Sequence, residues 1–227
     1  MDKKFSETIS PKDPMFWKNI WFYYKKHIFI GLALILFFTW GIVSCVNTVY
    51  PDFQIMYVGK YGVQDTAAAE EYLKEFVIDA NGDGKVVPRI VNIALGEQQN
   101  QQLTYAYISK LDVEVQQGDA SVFIMNSSFI DRYSQLECYV YLDDLADKYN
   151  IPEQRRVREN VSGKTVAVDI SGTVLCDKLG AYEDGNQPLY FMMNVPKEKS
   201  LKDEKKAAVF EQTKRVSEIL LKNSFRE

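Results

Sequence analysis

The sequence contains one histidine, His27, and this scarcity excludes most familiar catalytic arrangements. His27 precedes the apolar stretch described below, so residues 47–227 have no imidazole to act as a general base or a metal ligand. Asp143 and Asp144 are adjacent, and adjacent side chains point apart on a helix or a strand. No nucleophile motif accompanies them. We therefore expect a protein that is not an enzyme.

Cysteine is also scarce, because three cysteines are too few for a disulfide scaffold. Cys138 and Cys176 are the pair that follows the apolar stretch. Two interpretations stay open for them: a disulfide formed in an oxidising exterior, and two separate buried thiols. The third, Cys45, follows Ile-Val-Ser and resembles the lipidated cysteine of a bacterial lipobox. The alternative is that Cys45 is one more apolar residue of a membrane helix.

A basic excess is absent too, since 27 lysine and arginine residues face 31 acidic residues and the net charge is −4. Nucleic-acid binding calls for a basic patch or stripe. We therefore expect no nucleic-acid partner. The charge is unevenly distributed, because residues 1–27 carry six lysines and three acidic residues.

Long hydrophobic runs are absent with one exception, residues 28–46, which contain no charged side chain. A helix needs about 20 mostly apolar residues to cross a bilayer core of about 30 Å. This stretch therefore predicts one transmembrane helix, with the lipid bilayer as a partner. Because lysine-rich flanks stay in the cytoplasm, we expect the N-terminus inside the cell and the C-terminal part outside. A cleaved signal peptide is the rival interpretation, although its apolar region is shorter.

Trp17 and Trp21 belong to an aromatic, lysine-containing segment just before this stretch. Two interpretations stay open for residues 14–26: a helix along the inner membrane surface, and an aromatic belt continuous with the membrane helix. The predicted segments of the whole chain are a cytoplasmic arm at 1–27, a transmembrane helix at 28–46, a connector at 47–52 and an extracellular α/β domain at 53–227.

After the connector, apolar runs rich in β-branched and aromatic residues alternate with helix-like segments. Repeated strand–helix alternation predicts a single three-layer α/β domain with a mostly parallel sheet. The predicted strands are 53–59, 86–95, 120–125, 165–170 and 189–195, and the predicted helices begin at Asp65 or Thr66, at Asn100, at Ser127 or Ser128 and at Lys205.

Three phrases carry a resemblance to a known family: GDASVFIM at 118–125, LDDL at 142–145 and LYFMMNVPK at 189–197. In this order, they resemble extracellular solute-binding proteins of ABC transporters. The resemblance spans about residues 53–222. It implies a fold like one lobe of a type II periplasmic-binding protein, in a membrane-anchored protein of a Gram-positive bacterium. Most of the second lobe is missing, because only about 20 residues separate Leu142 from Thr165.

The loop at 79–85, which reads DANGDGK, matches the first seven positions of a calcium-binding loop. The predicted ligands are the side chains of Asp79, Asn81 and Asp83 and the backbone carbonyl of Lys85. Position 12 of the pattern is Ile90 instead of a bidentate glutamate. A weak calcium site and a plain polar turn are the two interpretations.

Loops that follow parallel strands are candidate ligand or partner sites, because α/β sheets bind ligands at the carboxyl ends of their strands. We expect the loops at 59–65, 96–100 and 126–128 to gather at one edge. The candidate contact residues are Tyr61, Asn100, Asn126 and Ser127.

These observations favour a membrane-anchored extracellular binding or interaction protein, accessory to an ABC transporter or another membrane complex. The alternative is a structural or assembly component of a membrane complex that has no small-molecule ligand. A third class, an enzyme of the cell envelope, would require a cleft with strongly perturbed carboxylates.

Overall fold

A computed structural model of the chain describes residues 14–46, 49–95, 101–119, 121–136, 138–182 and 187–225. The chain divides into two units, Met1–Val49 and Tyr50–Glu227. Tyr50, Pro51 and Asp52 therefore belong to the second unit, although they were expected in a connector.

The described part of the first unit contains the helix α1, which comprises Pro14–Val46. Proline suits the first position of a helix, because its missing N–H group would have no intrahelical partner there. Within α1, Ile20–Gly41 is long and apolar enough to cross a membrane, as an anchor or as part of a signal sequence. Because α1 is unbroken from Pro14 onward, it favours an aromatic segment that is continuous with the apolar helix.

The second unit is built on a six-stranded sheet with the order β2-β1-β3-β6-β5-β4. β1 is parallel to β2 and β3, whereas β6 is antiparallel to β3 and β5, and β4 is antiparallel to β5. The α/β prediction is confirmed, but the sheet is mixed. The strands are β1 Phe53–Gly59, β2 Pro88–Ala94, β3 Val122–Asn126, β4 Arg156–Arg158, β5 Thr165–Asp169 and β6 Leu189–Met193.

Helices cover both faces of the sheet and produce three layers. α2, α5, α6 and α8 pack on one face, and α3 and α4 pack on the other. A 3-10 turn, Glu153–Arg155, precedes β4. The helices are α2 Thr66–Lys74, α3 Gln101–Gln117, α4 Ser127–Tyr133, α5 Asp143–Lys148, α6 Val174–Leu179, α7 Glu198–Leu201 and α8 Glu204–Phe225.

β1 lies between β2 and β3, and its side chains alternate between the two cores. Phe53, Ile55 and Tyr57 pack in the core under α2, α6 and α8, while Met56 and Val58 pack in the core under α3. All five are buried. An uninterrupted apolar run is the pattern of a strand covered on both faces, so the sequence of β1 explains its place in the sheet.

Candidate functional site

Four of the strands, β1, β2, β3 and β5, run in the same direction and end at one edge of the sheet. We call this edge the carboxyl edge, and the opposite one the amino edge. β6 runs the other way, so it begins at the carboxyl edge. Its first two residues pair with strand ends, Leu189 with Asn126 and Tyr190 with Asp169.

Three of the four predicted contact residues lie at the carboxyl edge. Tyr61 follows β1 and is 57% exposed, and Asn126 ends β3 directly before Ser127 begins α4. The fourth, Asn100, lies outside the described residues. The loops after β1 and β3 therefore meet at one edge, as expected from parallel strands.

Asn126 departs from two local rules. It occupies the N-cap position of α4, where asparagine usually accepts a hydrogen bond from a backbone amide, yet its side chain makes no such bond. It is 7% exposed, and its Oδ1 atom has no hydrogen-bond partner. An unsatisfied buried acceptor costs about 1–3 kcal/mol. Among the described residues, Tyr139 Oη is the other buried side-chain atom without a partner.

The surroundings of Asn126 are mainly apolar. Strand alternation places its side chain on the same face as Ile124, which packs in the core with Leu189. Tyr57 pairs with Ile124 across β1 and β3, and its hydroxyl donates a hydrogen bond to the Tyr182 carbonyl at 3.1 Å. The carboxamide of Asn126 therefore lies beside an apolar sheet surface bordered by a tyrosine.

The loop after β1 is fixed by a side chain of β2. Asn92 Oδ1 accepts a hydrogen bond from the Val63 amide at 3.0 Å, and Asn92 Nδ2 donates to the Val63 carbonyl at 3.1 Å. Val63 also forms a bridge with Ala181, which lies just after α6. The loop is thus attached to β2 and to the segment that follows α6.

The loop after β5 is fixed by Asp169, whose Oδ1 atom accepts hydrogen bonds from the Ser171 amide at 2.8 Å and from the Ser171 hydroxyl at 2.5 Å. The same hydroxyl oxygen accepts from the Leu189 amide at 2.8 Å. Tyr190 lies opposite Asp169, and burial raises the pKa of Tyr190, with the charges of Asp169 and Asp131 adding to the effect. Ser171 therefore links the end of β5 to the start of β6.

The predicted calcium loop lies near the amino edge, where it is closed by its own side chains. The Asp79 carboxylate accepts from the amides of Gly82 at 2.7 Å, Asp83 at 3.1 Å and Gly84 at 2.8 Å. Asn81 Oδ1 accepts from the Asp83 amide, and Asp83 Oδ1 accepts from the Lys85 amide, each at 2.9 Å. These bonds close the loop as a polar turn.

The described part of the chain contains no group of three or more histidine, cysteine, aspartate or glutamate residues arranged to hold a metal ion. Calcium binding by the loop at 79–85 therefore stays a prediction.

Asp52 is a structural residue that sequence reasoning missed. It is completely buried, and its carboxylate accepts hydrogen bonds from the amides of Ala80, Asn81 and Val87. Its own amide donates to the Val87 carbonyl at 2.9 Å. A single acid beside Pro51 has no periodic pattern that would reveal this role.

Of the two interpretations left open for Cys138 and Cys176, the disulfide is not formed, because both are free thiols. Cys176 is buried in the core under α6, whereas Cys138 packs against the core on the other face of the sheet. Burial raises the pKa of Cys176 to about 11, and burial also raises the pKa of Cys138. The sheet separates the two thiols, so the interpretation of two separate thiols holds. Cys45 lies in the last turn of α1, and its side chain is outside the described residues.

Comparison with protein-family models, curated proteins and solved structures finds no match to this chain.

Proposed function

We propose that this protein is a non-enzymatic, membrane-anchored extracellular binding protein that recognises a small solute at its carboxyl edge. The observation that carries the proposal is the Oδ1 atom of Asn126, which is buried at this edge without a hydrogen-bond partner. Buried polar atoms are nearly always satisfied, and exceptions call for an explanation. A ligand that donates a hydrogen bond to Oδ1 supplies one.

The resemblance to solute-binding proteins is part of the same proposal. Two phrases that carry it fold into adjacent strands, β3 and β6. The second phrase precedes α7 and the amphipathic helix α8, which packs under the sheet through Val216 and Leu220. This arrangement supports the proposal that the domain is related to one lobe of a type II solute-binding protein. In this proposal, the protein is accessory to an ABC transporter or another membrane complex.

The binding test compares the full chain in lipid nanodiscs with its Asn126→Leu variant in a thermal-shift screen of small metabolites. A ligand that binds the native state raises the melting temperature by mass action. We expect at least one such compound for the unsubstituted protein and no response from Asn126→Leu. Asn223→Leu makes the same chemical change at an exposed position of α8 and is expected to respond normally. Equal responses of Asn126→Leu and Asn223→Leu would contradict the proposal.

The orientation of the anchor also belongs to the proposal. Lysines on the N-terminal side of α1 favour a cytoplasmic N-terminus and an extracellular domain. In a variant without natural cysteines, Asn160→Cys at the exposed turn between β4 and β5 should react with a membrane-impermeant maleimide on intact cells. Ser6→Cys should react only after permeabilisation. The reverse pattern would show an inverted topology.

A structural or assembly role is the second candidate, and the surface of α3 favours it. Leu103, Tyr105 and Val113 are 45%, 69% and 56% exposed on this helix. Two results together would favour this role over solute binding. The metabolite screen would give no hit, and partner proteins would co-purify with the unsubstituted chain but not with Tyr105→Ser or Val113→Ser.

A further inference from the structure

The geometry points to an uncharged ligand that donates an N–H or O–H group to Asn126 at the carboxyl edge. This inference rests on the binding function proposed above and adds the chemical class of the ligand. It follows from the chemistry of the unpaired atom, from the distribution of buried charge and from the degree of burial.

The unpaired Oδ1 atom of Asn126 determines which chemical group the ligand must present. A carboxamide oxygen accepts hydrogen bonds and donates none. Asn126 does not use this oxygen to cap α4, and the described protein atoms offer it no donor. The ligand must therefore present an N–H or O–H group.

The distribution of charge favours a neutral ligand, because the half-buried Asp169 at this edge already accepts two hydrogen bonds from Ser171 and no buried charged side chain of the described residues lies beside Asn126. Among the described residues, the buried acidic or basic side chains are Asp52 and Glu159. Asp52 precedes β1 and Glu159 follows β4, so both lie at the amino edge, away from Asn126. An ion transferred into an apolar environment needs a counter-charge there. At the carboxyl edge, Tyr57, Ile124 and Leu189 are 0%, 0% and 3% exposed and carry no charge.

Burial also limits the size of the ligand. Asn126 is 7% exposed, so a ligand reaches its oxygen only when connecting segments at the carboxyl edge open. The loop after β1 is joined to the segment after α6 through the bridge between Val63 and Ala181 and the hydrogen bond from the Gln64 amide to the Gly180 carbonyl, at 3.3 Å. A small neutral molecule requires little opening.

Matched small probes test the class directly. The isotope-labelled full chain in nanodiscs is titrated with N-methylacetamide, which has an N–H donor, and with N,N-dimethylacetamide, which has none. Ethylene glycol tests a hydroxyl donor, and methylammonium and acetate test charge. The readout is the chemical shift of the Asn126 and Leu189 backbone amides.

We expect saturable shifts with N-methylacetamide or ethylene glycol, and at least tenfold weaker binding of N,N-dimethylacetamide, methylammonium and acetate. The stronger neutral probe distinguishes an amide ligand from a hydroxyl ligand. Equal or tighter binding of a charged probe, or of N,N-dimethylacetamide, at the same residues would overturn the ligand class and leave the binding function standing.

The variant Asn126→Leu provides the second measurement. Replacing an unsatisfied buried acceptor by an apolar side chain of similar size removes a desolvation penalty. The melting temperature of the free protein should therefore rise, and the saturable shifts at Leu189 should disappear. If no probe saturates and Asn126→Leu lowers the melting temperature, Oδ1 has another partner such as a bound water, and both the ligand class and the proposed function fail.

Discussion

Asp52 connects the start of β1 to the loop between α2 and β2. Its buried carboxylate accepts three backbone hydrogen bonds, from Ala80 at 2.8 Å, Asn81 at 3.1 Å and Val87 at 2.9 Å. Hydrogen bonds to an ionised acceptor are stronger than neutral ones, and several of them can satisfy a buried carboxylate. Asp52 thus holds the loop at 79–85 in place, although it is not part of that loop.

Substitution of Asp52 by alanine should lower the free energy of unfolding by about 3 kcal/mol, because it removes the acceptor of three backbone amides, one buried and two partly buried. Asp83→Ala is the matched control, since Asp83 is exposed and its side chain accepts one hydrogen bond from the described residues, from the Lys85 amide. We expect the control to cost less than about 1 kcal/mol. Chemical denaturation of both variants measures the difference, and equal losses would contradict the role of Asp52.

At the scale of elements, the loop after β1 depends on Gly62. Its φ angle is +79°, in the left-handed region that favours glycine. A Cβ atom there would also lie 3.2 Å from Asn92 Cγ, in the side chain that binds Val63. A side chain at residue 62 would therefore strain the backbone and also crowd Asn92, which attaches the loop to β2.

Gly62→Ala should lower the free energy of unfolding by about 1–2 kcal/mol from the backbone penalty alone, and further through the contact with Asn92. Gly163→Ala is the control, because Gly163 has a φ angle of +68° and open space where a Cβ atom would lie. Hydrogen exchange of the Val63 amide should accelerate in Gly62→Ala and stay unchanged in Gly163→Ala. Unchanged exchange in both would contradict the attachment described for this loop.

Several elements were predictable because their sequences have one dominant pattern. The run at 53–59 became β1 without a change of boundary, and the predicted strand at 165–170 became β5, Thr165–Asp169. β4 was missed because Arg156–Arg158 is short and carries two arginines. The antiparallel direction of β6 was missed because an apolar run does not encode the direction of its neighbours.

The candidate site was predictable to a smaller extent. Asn126 could be placed at the carboxyl edge, because it follows an apolar run. Its unpaired oxygen depends on which backbone amides come near it after folding, and no spacing in the sequence reports that. The same limit applies to Asp52, whose partners Ala80 and Val87 are distant in sequence.

At the scale of the whole domain, buried ionisable groups make stability depend on alkaline pH. Burial raises the pKa of Cys176 from 9.0 to about 11. Burial also raises the pKa values of Tyr133 and Tyr139, and the Asp112 carboxylate raises that of Tyr133 further. In each case the neutral form is favoured in the folded state. As the pH rises, the unfolded chain releases these protons first, which favours unfolding.

For Cys176, the stabilisation is fully present below about pH 9 and is lost as the pH rises to about 11. The loss amounts to about 2–3 kcal/mol, since one pKa unit corresponds to about 1.4 kcal/mol. Cys176→Ala should therefore show a shallower fall in the free energy of unfolding over this pH interval. Denaturation curves at several pH values measure it, and Cys138→Ala, at a less buried thiol, should flatten the pH profile less than Cys176→Ala. Parallel pH profiles for Cys176→Ala and the unsubstituted protein would contradict the effect.

The position of β6 in the sheet determines the order in which the domain can assemble during synthesis. Among the strands of the described residues, β6 is made last, yet it lies between β3 and β5. Until residue 193 has emerged, both neighbouring strands present an unpaired edge to other chains, and such edges promote aggregation. Folding of this domain therefore requires that the two unpaired strand edges be protected until residue 193 has been made.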